Sequence, residues 1–281
     1  MIKILDGNLV AKYINNRTKK QVLKLKKSSI VPKLAVILVG DDPASSLYVA
    51  IKEKKAQKLG IKTLNIHLPK EISQKRLIAQ IIKLNRNKLV HGILIQLPLP
   101  KQLDTEAILE SIDPTKDVDG LHPENLGKLL LDKPFVVPPT PAGIIDLLKY
   151  YQIGLTGKHV VIVGYGKLVG KPLAAMISLS NQLATLTVCN HKTKNLKRYT
   201  LQADILISAT GVVKLIKASV VKKDAVVIDA GTAKEGGKIV GDVDFENMKN
   251  KCTYITPSKG GVGPVTVAKL MQNLISLIKN Q

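Results

Sequence analysis

The chain has 281 residues, 45% of them hydrophobic, so it is long enough to bury one large core or two of ordinary size. Apolar runs stay well short of the roughly 18 residues that cross a bilayer, and the first nine residues lack a signal-peptide pattern, so we expect a cytoplasmic protein with no membrane partner. The net charge is +22, but only four of the 43 basic residues are arginine and aromatic residues make up 3%, which argues against specific nucleic-acid recognition.

The first half of the chain alternates helix and strand patterns, which indicates an α/β fold. An amphipathic helix is predicted over 8–28, and an apolar strand from Leu34 to Val39 ends at Gly40. The pattern then predicts a helix at Ser45–Leu59, a strand at Lys62–His67, a helix at Ser73–Asn85 and a strand at Gly92–Gln96.

Four prolines between Asp132 and Pro141 predict a domain boundary, because so many prolines exclude regular structure. A helix is predicted at Gly143–Tyr151, and a series of strands at His159–Val163, Leu186–Cys189, Ile205–Ser208 and Ala225–Ile228. This second half is typical of a βαβ dinucleotide-binding unit. The last predicted helix, Thr266–Ile278, could pack on either domain.

The strand at His159–Val163 leads directly into Gly164-Tyr165-Gly166, and a helical pattern follows. Gly164 would permit a tight turn, and Gly166 would let the backbone approach a pyrophosphate at the helix N-terminus. The third glycine, Gly170, comes one residue later than in G-x-G-x-x-G. This context predicts a dinucleotide site, with a tight turn that binds nothing as the alternative.

The next strand is followed by Asn190-His191-Lys192-Thr193-Lys194, which contains cations and no carboxylate. An NAD site favours a carboxylate here for the ribose hydroxyls, whereas a 2′-phosphate favours cations. The sequence therefore predicts NADP as the cofactor. The alternative is an exposed basic loop in a lysine-rich protein.

Candidate catalytic residues lie in the first half. Tyr48 and Lys52 are four residues apart on one face of a predicted helix, where a hydroxyl beside a partly buried amine could transfer protons. Spacing by itself favours an ordinary exposed lysine. Gln96 ends an apolar strand, which is where α/β proteins bind ligands, although its position by itself favours a solvated amide.

A metal site is not expected. Asp117, Asp119 and His122 share a turn-rich loop, but the sequence supplies no further ligands near them. The two cysteines, Cys189 and Cys252, form no metal or disulfide framework, so we expect two reduced, partly buried thiols.

Taken together, these segments resemble the bifunctional methylenetetrahydrofolate dehydrogenase/methenyltetrahydrofolate cyclohydrolase family. The resemblance spans nearly the whole chain in the family's order. It rests on Asp6-Gly7, residues 39–45, Tyr48 to Lys52, residues 96–100, 116–120, 139–143 and 169–172, Gly241-Asp242-Val243 and residues 260–266.

The resemblance implies oxidation of 5,10-methylenetetrahydrofolate with NADP, and hydrolysis of the 5,10-methenyl product to 10-formyltetrahydrofolate. It also implies a homodimer in one-carbon metabolism that serves purine biosynthesis. The implied catalytic residues are Lys52, Tyr48 and Gln96. The implied substrate-binding residues are Asp119, Tyr48, Gly261 and Pro264. The implied cofactor-binding residues are Gly164, Tyr165, Gly166, Gly170, His191, Lys192 and Thr232.

The resemblance further implies two α/β domains with a cleft between them: a folate-binding catalytic domain of residues 1–139 plus 266–281, and a Rossmann-like NADP-binding domain of residues 140–265. Departures from the family pattern concern the cofactor loops and the loop before Gly260. Tyr165-Gly166 stands where the family commonly has Arg-Ser, and Thr232 where it often has Ile. Ser258-Lys259 replaces Val-Pro, so that Lys259 either meets the substrate's glutamate tail or is solvated.

Two other functions stay open at this point. The chain could have lost one of the two activities. Because the cofactor loop departs from the family pattern, loss of the dehydrogenase activity is the more plausible of the two. It could also be a basic nucleotide-binding or nucleic-acid-binding protein without catalysis, which a steeply salt-dependent affinity would reveal.

Overall fold

The computed structural model describes residues 2–179, 183–235, 238–248 and 250–280. Contacts divide the chain into two compact units. The three-stranded unit consists of residues 13–137 and 270–281, and the six-stranded unit consists of residues 1–12 and 138–269. None of the described helices combines the length and the apolar character that crossing a membrane requires.

The three-stranded unit is built on a small parallel sheet. Its strands are β2 (Lys33–Val39), β3 (Lys62–Leu68) and β4 (Gly92–Ile95), in the spatial order β3-β2-β4. The helices that precede or follow these strands are α1 (Gly7–Lys27), α2 (Pro43–Leu59), α3 (Gln74–Arg86), α4 (Thr105–Glu110) and α5 (Pro123–Leu130).

Strand β2 is buried on both faces, which explains its unbroken run of apolar residues. Leu34 and Val36 belong to one core cluster, together with Leu274 of the last helix. Ala35 and Ile37 point to the opposite cluster, which includes Leu77 and Ile81 of α3. Successive side chains of a strand alternate between faces, so one strand joins both cores.

The six-stranded unit holds a parallel sheet in the order β1-β11-β8-β7-β5-β6. Its strands are β1 (Lys3–Ile4), β5 (His159–Val163), β6 (Thr185–Cys189), β7 (Ile205–Ser208), β8 (Ala225–Asp229) and β11 (Cys252–Ile255). The helices are α6 (Pro139–Tyr150), α7 (Gly170–Ser178), α8 (Leu196–Thr200) and the first part of α9 (Val262–Asn280). Two antiparallel strands, β9 (Ala233–Glu235) and β10 (Lys238–Val240), pair with each other after β8.

The two-domain α/β prediction is confirmed, and most predicted elements begin and end within two residues of the observed ones. Two helices start earlier than predicted. Helix α6 begins at Pro139 rather than Gly143, and α9 begins at Val262 rather than Thr266. In both helices prolines lie in the first turn, where the missing N–H has no partner to lose. The prolines of residues 132–141 therefore do not exclude a helix.

The N-terminal strand was not predicted. Residues Lys3 and Ile4 pair with Tyr254 and Ile255 of β11, so residues 1–12 group with the six-stranded unit rather than with residues 13–137. Helix α9 is divided at Leu270, and its residues from there on join the core of the three-stranded unit. The sequence-based domain boundaries thus differ from the contact division mainly at the N-terminus.

Candidate active site

Lys52 and Gln96 form the centre of the candidate site in the three-stranded unit. The Lys52 Nζ donates to Gln96 Oε1 at 3.0 Å, and the Gln96 side chain is buried. The Gln96 Nε2 donates to the Leu97 carbonyl at 2.7 Å, which fixes the amide so that its oxygen faces the lysine. A lone amide at a strand end and a lysine on a helix are therefore brought together as one pair.

Helix α2 holds Lys52 in place through a well-defined start and end. Asp42 caps the helix by accepting the backbone N–H of Ser45 at 2.7 Å, and Pro43 occupies the first turn. Gly60 ends the helix in the left-handed conformation, with φ of 79°. Tyr48 lies half-buried one turn before Lys52, as the i, i+4 spacing predicts.

Asp119 reaches the same edge of the sheet by a route that the strand pattern does not reveal. The N–H of Ile93 in β4 donates to the Lys116 carbonyl at 2.7 Å, and Ile93 bridges Asp117 in parallel register. Residues 116–118 thus run beside β4 like a short extra strand. Because carboxyl ends of neighbouring parallel strands meet at one edge, Gln96 and Asp119 both follow segments that end there.

Lys116 anchors this segment to the end of α3. Its buried Nζ donates to three backbone carbonyls: those of Leu84 at 3.3 Å, Asn85 at 2.6 Å and Asn87 at 2.9 Å. A cation at a helix C-terminus also interacts favourably with the helix dipole. In the sequence, Lys116 stands out only as part of the motif at residues 116–120. Polar residues flank Lys116 on both sides, at Thr115 and Asp117, so the local sequence gives no signal for its burial.

Asp117 orders the turn that precedes α5. Its Oδ2 accepts the backbone N–H of His122 at 2.8 Å and the Nδ2 of Asn125 at 3.0 Å. His122 in turn caps α5, because its Nδ1 accepts the N–H of Glu124 at 3.1 Å. Within the described ranges, no group of three or more His, Cys, Asp or Glu could hold a metal ion.

The charges of Lys52 and Asp119 influence each other. Burial lowers the pKa of Lys52, and the negative charge of Asp119 opposes that shift. Burial raises the pKa of Asp119 to about 6, with the charge of Lys52 acting against it and that of Asp117 acting with it. A lysine with a lowered pKa beside a carboxyl group suits proton transfer near neutral pH.

The glycine turn of the six-stranded unit has the geometry of a dinucleotide site. Gly164 has φ of 107°, and a Cβ there would overlap the Ala209 carbonyl. A Cβ on Gly170, the first residue of α7, would overlap the carbonyl of Gly164. At Gly166 a Cβ would meet nothing within 4 Å, so packing within the described chain does not require glycine there. Open space at the second glycine fits a backbone that a pyrophosphate must approach.

The basic turn after β6 lies next to this glycine turn, because the Gly164 N–H donates to the Cys189 carbonyl at 2.9 Å. Asn190 closes the turn by accepting the Lys192 N–H at 2.9 Å on its Oδ1. The side chains of His191 and Lys192 are exposed. Tyr165 is also exposed, with the Lys171 ammonium 5.8 Å from its ring centroid.

The remaining predicted residues also lie in the six-stranded unit. Exposed Thr232 follows β8, and its carbonyl lies 3.8 Å from the position of a Cβ on Gly211. Gly261 is buried against the N-terminal segment, where the N–H of Gly7 donates to the Gly260 carbonyl at 2.8 Å. Pro264 lies in the first turn of α9, and Lys259 is exposed.

The predicted residues thus fall into two groups. Tyr48, Lys52, Gln96 and Asp119 belong to the three-stranded unit, while the cofactor residues belong to the six-stranded unit with Gly261 and Pro264.

Known proteins resemble this chain in both units. A family model described as the catalytic domain of tetrahydrofolate dehydrogenase/cyclohydrolase matches residues 5–119. A second, described as the NAD(P)-binding domain of the same enzyme, matches residues 138–281. A bifunctional protein FolD from Lactobacillus helveticus is 49% identical over 281 residues, which cover 100% of this chain and 99% of that protein.

Solved structures give the same picture. A bifunctional methylenetetrahydrofolate dehydrogenase/cyclohydrolase (FolD) from Campylobacter jejuni is similar with a TM-score of 0.95 and 47% identity, covering 100% of this chain and 99% of that one. A methylenetetrahydrofolate dehydrogenase-cyclohydrolase from Trypanosoma brucei, solved with NADP cofactor and an inhibitor, has a TM-score of 0.94 and 35% identity. The match covers 99% of this chain and 98% of the Trypanosoma brucei chain.

Proposed function

Since this chain belongs to the tetrahydrofolate dehydrogenase/cyclohydrolase family, we propose that it oxidises 5,10-methylenetetrahydrofolate with NADP and hydrolyses the methenyl product to 10-formyltetrahydrofolate. The observation that carries the proposal is the Lys52–Gln96 hydrogen bond of 3.0 Å beside the coupled carboxyl group of Asp119. Lys52 is the proton carrier that hydrolysis needs, and it lies in the unit that matches the catalytic-domain family model.

Hydrolysis adds water to the methenyl carbon, which bridges two nitrogens of the folate and carries a positive charge. The water oxygen forms the new C–O bond, and Lys52 in its unprotonated form accepts the proton that the water releases. The hydroxyl group of this adduct then loses its proton as the C=O bond forms and the C–N5 bond breaks, and N5 takes up a proton that Lys52 can return. The products are 10-formyltetrahydrofolate and one net proton.

The neighbours of Lys52 have distinct proposed roles. Gln96 accepts one hydrogen bond from the Lys52 amine. The lone pair and the other N–H of the amine are then free to face the substrate. Asp119 accepts two hydrogen bonds from the amino group and ring N–H of the pterin. Tyr48 stacks on the ring or hydrogen-bonds beside it. Gly261 and Pro264 stay proposed substrate-binding residues on the strength of the family resemblance.

The residues of the six-stranded unit fit a dinucleotide. Open space at Gly166 and the positive φ of Gly164 allow the backbone to contact a pyrophosphate. We assign Tyr165 and Gly170 to the same turn, Thr232 to the nicotinamide end, and His191 and Lys192 to the 2′-phosphate. Bound NADP would supply the acceptor for the hydride of the methylene carbon, and the protein's own contribution is to orient the two molecules.

NADP should be preferred over NAD by a modest factor. The turn at residues 190–194 offers no carboxylate to a ribose diol, and Lys192 and Lys194 are exposed cations. Each exposed lysine–phosphate contact contributes about 1 kcal/mol or less, because solvent and salt screen it. Two contacts give a preference of roughly tenfold to thirtyfold.

The family resemblance also implies an assembly state and a metabolic role. We propose a homodimer, a cytoplasmic location, and a role in one-carbon metabolism that supplies purine biosynthesis. Sedimentation of the purified protein tests the first: a mass of one chain across the micromolar range would contradict it.

An absorbance assay of methenyl-folate formation, run with NADP and NAD in parallel, tests the proposed function. We expect formation with both dinucleotides, and a higher kcat/KM with NADP. If neither supports oxidation of 5,10-methylenetetrahydrofolate, the dehydrogenase assignment is wrong.

A further inference from the structure

Two motifs in the six-stranded unit are not used by the proposed reaction: Asp229-Ala230-Gly231 and Gly241-Asp242-Val243. Each contains a buried carboxylate, since Asp229 is 5% exposed and Asp242 is 0% exposed. Burying a carboxylate is costly unless several donors hydrogen-bond to it. The partners of these two side chains therefore indicate what the motifs do.

Asp242 holds the turn that follows β7. Its Oδ2 accepts three hydrogen bonds: from the Ser208 hydroxyl at 2.7 Å, the Thr210 N–H at 2.6 Å and the Thr210 hydroxyl at 2.8 Å. The held turn, residues 209–211, packs against the glycine turn, because a Cβ on Gly164 would overlap the Ala209 carbonyl. One carboxylate oxygen of Asp242 thus fixes the position of the segment that packs against the glycine turn.

Asp229 holds Asp242 in turn. Its Oδ1 accepts the N–H groups of Gly231 at 3.0 Å and Asp242 at 3.1 Å, and its Oδ2 accepts the N–H of Val243 at 2.9 Å. The backbone of Asp242 is therefore tied on both sides to the end of β8. Asp229 therefore positions Asp242, and Asp242 positions Thr210.

The two glycines of these motifs make room for the carboxylates. A Cβ on Gly231 would overlap the Asp242 carboxylate, and a Cβ on Gly241 would overlap that of Asp229. Each motif therefore places a carboxylate next to the glycine of the other. This reciprocal fit accounts for both the acidic residue and the glycine in each motif.

We propose that Asp242 is a positioning residue for dinucleotide binding, which acts by holding residues 209–211 against the glycine turn at Gly164. The role rests on the proposed function, because the two turns matter only if this edge of the sheet binds the cofactor. Asp229 supports Asp242 and has no direct part in binding.

Asp242→Asn tests the proposal, because asparagine keeps the size of the side chain and removes the charge that strengthens three hydrogen bonds. The Kd for NADPH, measured by fluorescence titration, should rise about tenfold to a hundredfold, with a matching fall in the dehydrogenase kcat/KM for NADP. Hydrolysis of methenyltetrahydrofolate, measured with no dinucleotide present, should keep its rate. A residue that only stabilised the fold would change both activities.

Asp204→Asn is the matched control. Asp204 also accepts a backbone N–H, that of His159 at 2.9 Å, and pairs with Lys222 at 2.6 Å, but it precedes β7 at the opposite edge of the same sheet. Its replacement should leave the Kd for NADPH unchanged. An equal loss of affinity in both variants would overturn the proposal, as would an unchanged Kd in Asp242→Asn.

If Asp242→Asn loses hydrolysis as well, Ser208→Ala decides the matter, because it removes one of the three hydrogen bonds and leaves the buried charge in place. We expect weaker NADPH binding with normal hydrolysis, and normal binding would contradict the positioning role. A wild-type protein that fails to bind NADPH would instead contradict the proposed function itself.

Discussion

Replacing Lys52 by methionine removes the proton carrier and keeps most of the apolar stem of the side chain. General acid–base catalysis contributes about 10² to 10⁴ in rate, so the kcat for hydrolysis of methenyltetrahydrofolate should fall by that factor. The variant also loses the 3.0 Å hydrogen bond to Gln96, but this bond lies within the protein and its loss costs about 1 kcal/mol of stability rather than a substrate contact, so the KM should change little. The loss should therefore lie in kcat.

The same substitution should change the titration of Asp119. The positive charge of Lys52 lowers the pKa of Asp119, which burial raises to about 6, so removing that charge should raise the pKa further. As the pH is lowered, folate affinity should therefore begin to fall at a higher pH in Lys52→Met than in the wild type. Unchanged pH dependence would mean that the two groups are not coupled.

Lys55→Met is the control for this experiment. Lys55 lies on the same helix, is half-buried, and has a pKa lowered by burial and by the charge of Lys58. Its loss removes a comparable lysine without touching Gln96, and hydrolysis should proceed normally. The account of Lys52 is refuted if Lys52→Met hydrolyses methenyltetrahydrofolate at a near-normal rate.

Four further outcomes are expected. Asp119→Ala should raise the KM for folate in both activities, since a residue that binds the pterin serves both; a loss confined to one activity would assign Asp119 to chemistry. In the wild type, the KM for folate should rise as the pH falls below about 6, because the protonated Asp119 loses an acceptor; a flat KM between pH 5 and 7 would contradict this. If Lys259 meets the glutamate tail, Lys259→Ala should raise the KM more for polyglutamylated than for monoglutamylated folate, whereas equal changes would mean a solvated lysine. Lys192→Ala and added salt should each reduce the preference for NADP over NAD, and a preference that responds to neither would contradict the proposed phosphate contacts.

Local patterns were sufficient to predict most of the fold. The apolar run of β2, the glycine after α2 and the strand before Gly164 each have a direct structural cause, and each was found where expected. Helices α6 and α9 start earlier than the local pattern predicts, and both have prolines in the first turn, which a helix accepts. The two-residue strand β1 is too short for periodicity to reveal.

The candidate site was less accessible to local reasoning. Spacing favoured an exposed Lys52 and a solvated Gln96, and only the family resemblance brought them together. Their 3.0 Å contact joins residues 44 positions apart, and no local pattern encodes such a distance. The support that Lys116 gives to the Asp119 segment is equally non-local, because its three carbonyl partners lie at the end of α3.

The central claim is that one chain carries out both steps, and a progress curve tests it most directly. The purified protein would be mixed with 5,10-methylenetetrahydrofolate and NADP, while NADPH, the methenyl intermediate and 10-formyltetrahydrofolate are followed together. We predict NADPH formation equal to the sum of the two folate products, with the methenyl species rising and then falling faster than it decays when the protein is absent. A methenyl species that accumulates and decays only at its spontaneous rate, or folate that is not oxidised at all, would contradict the account.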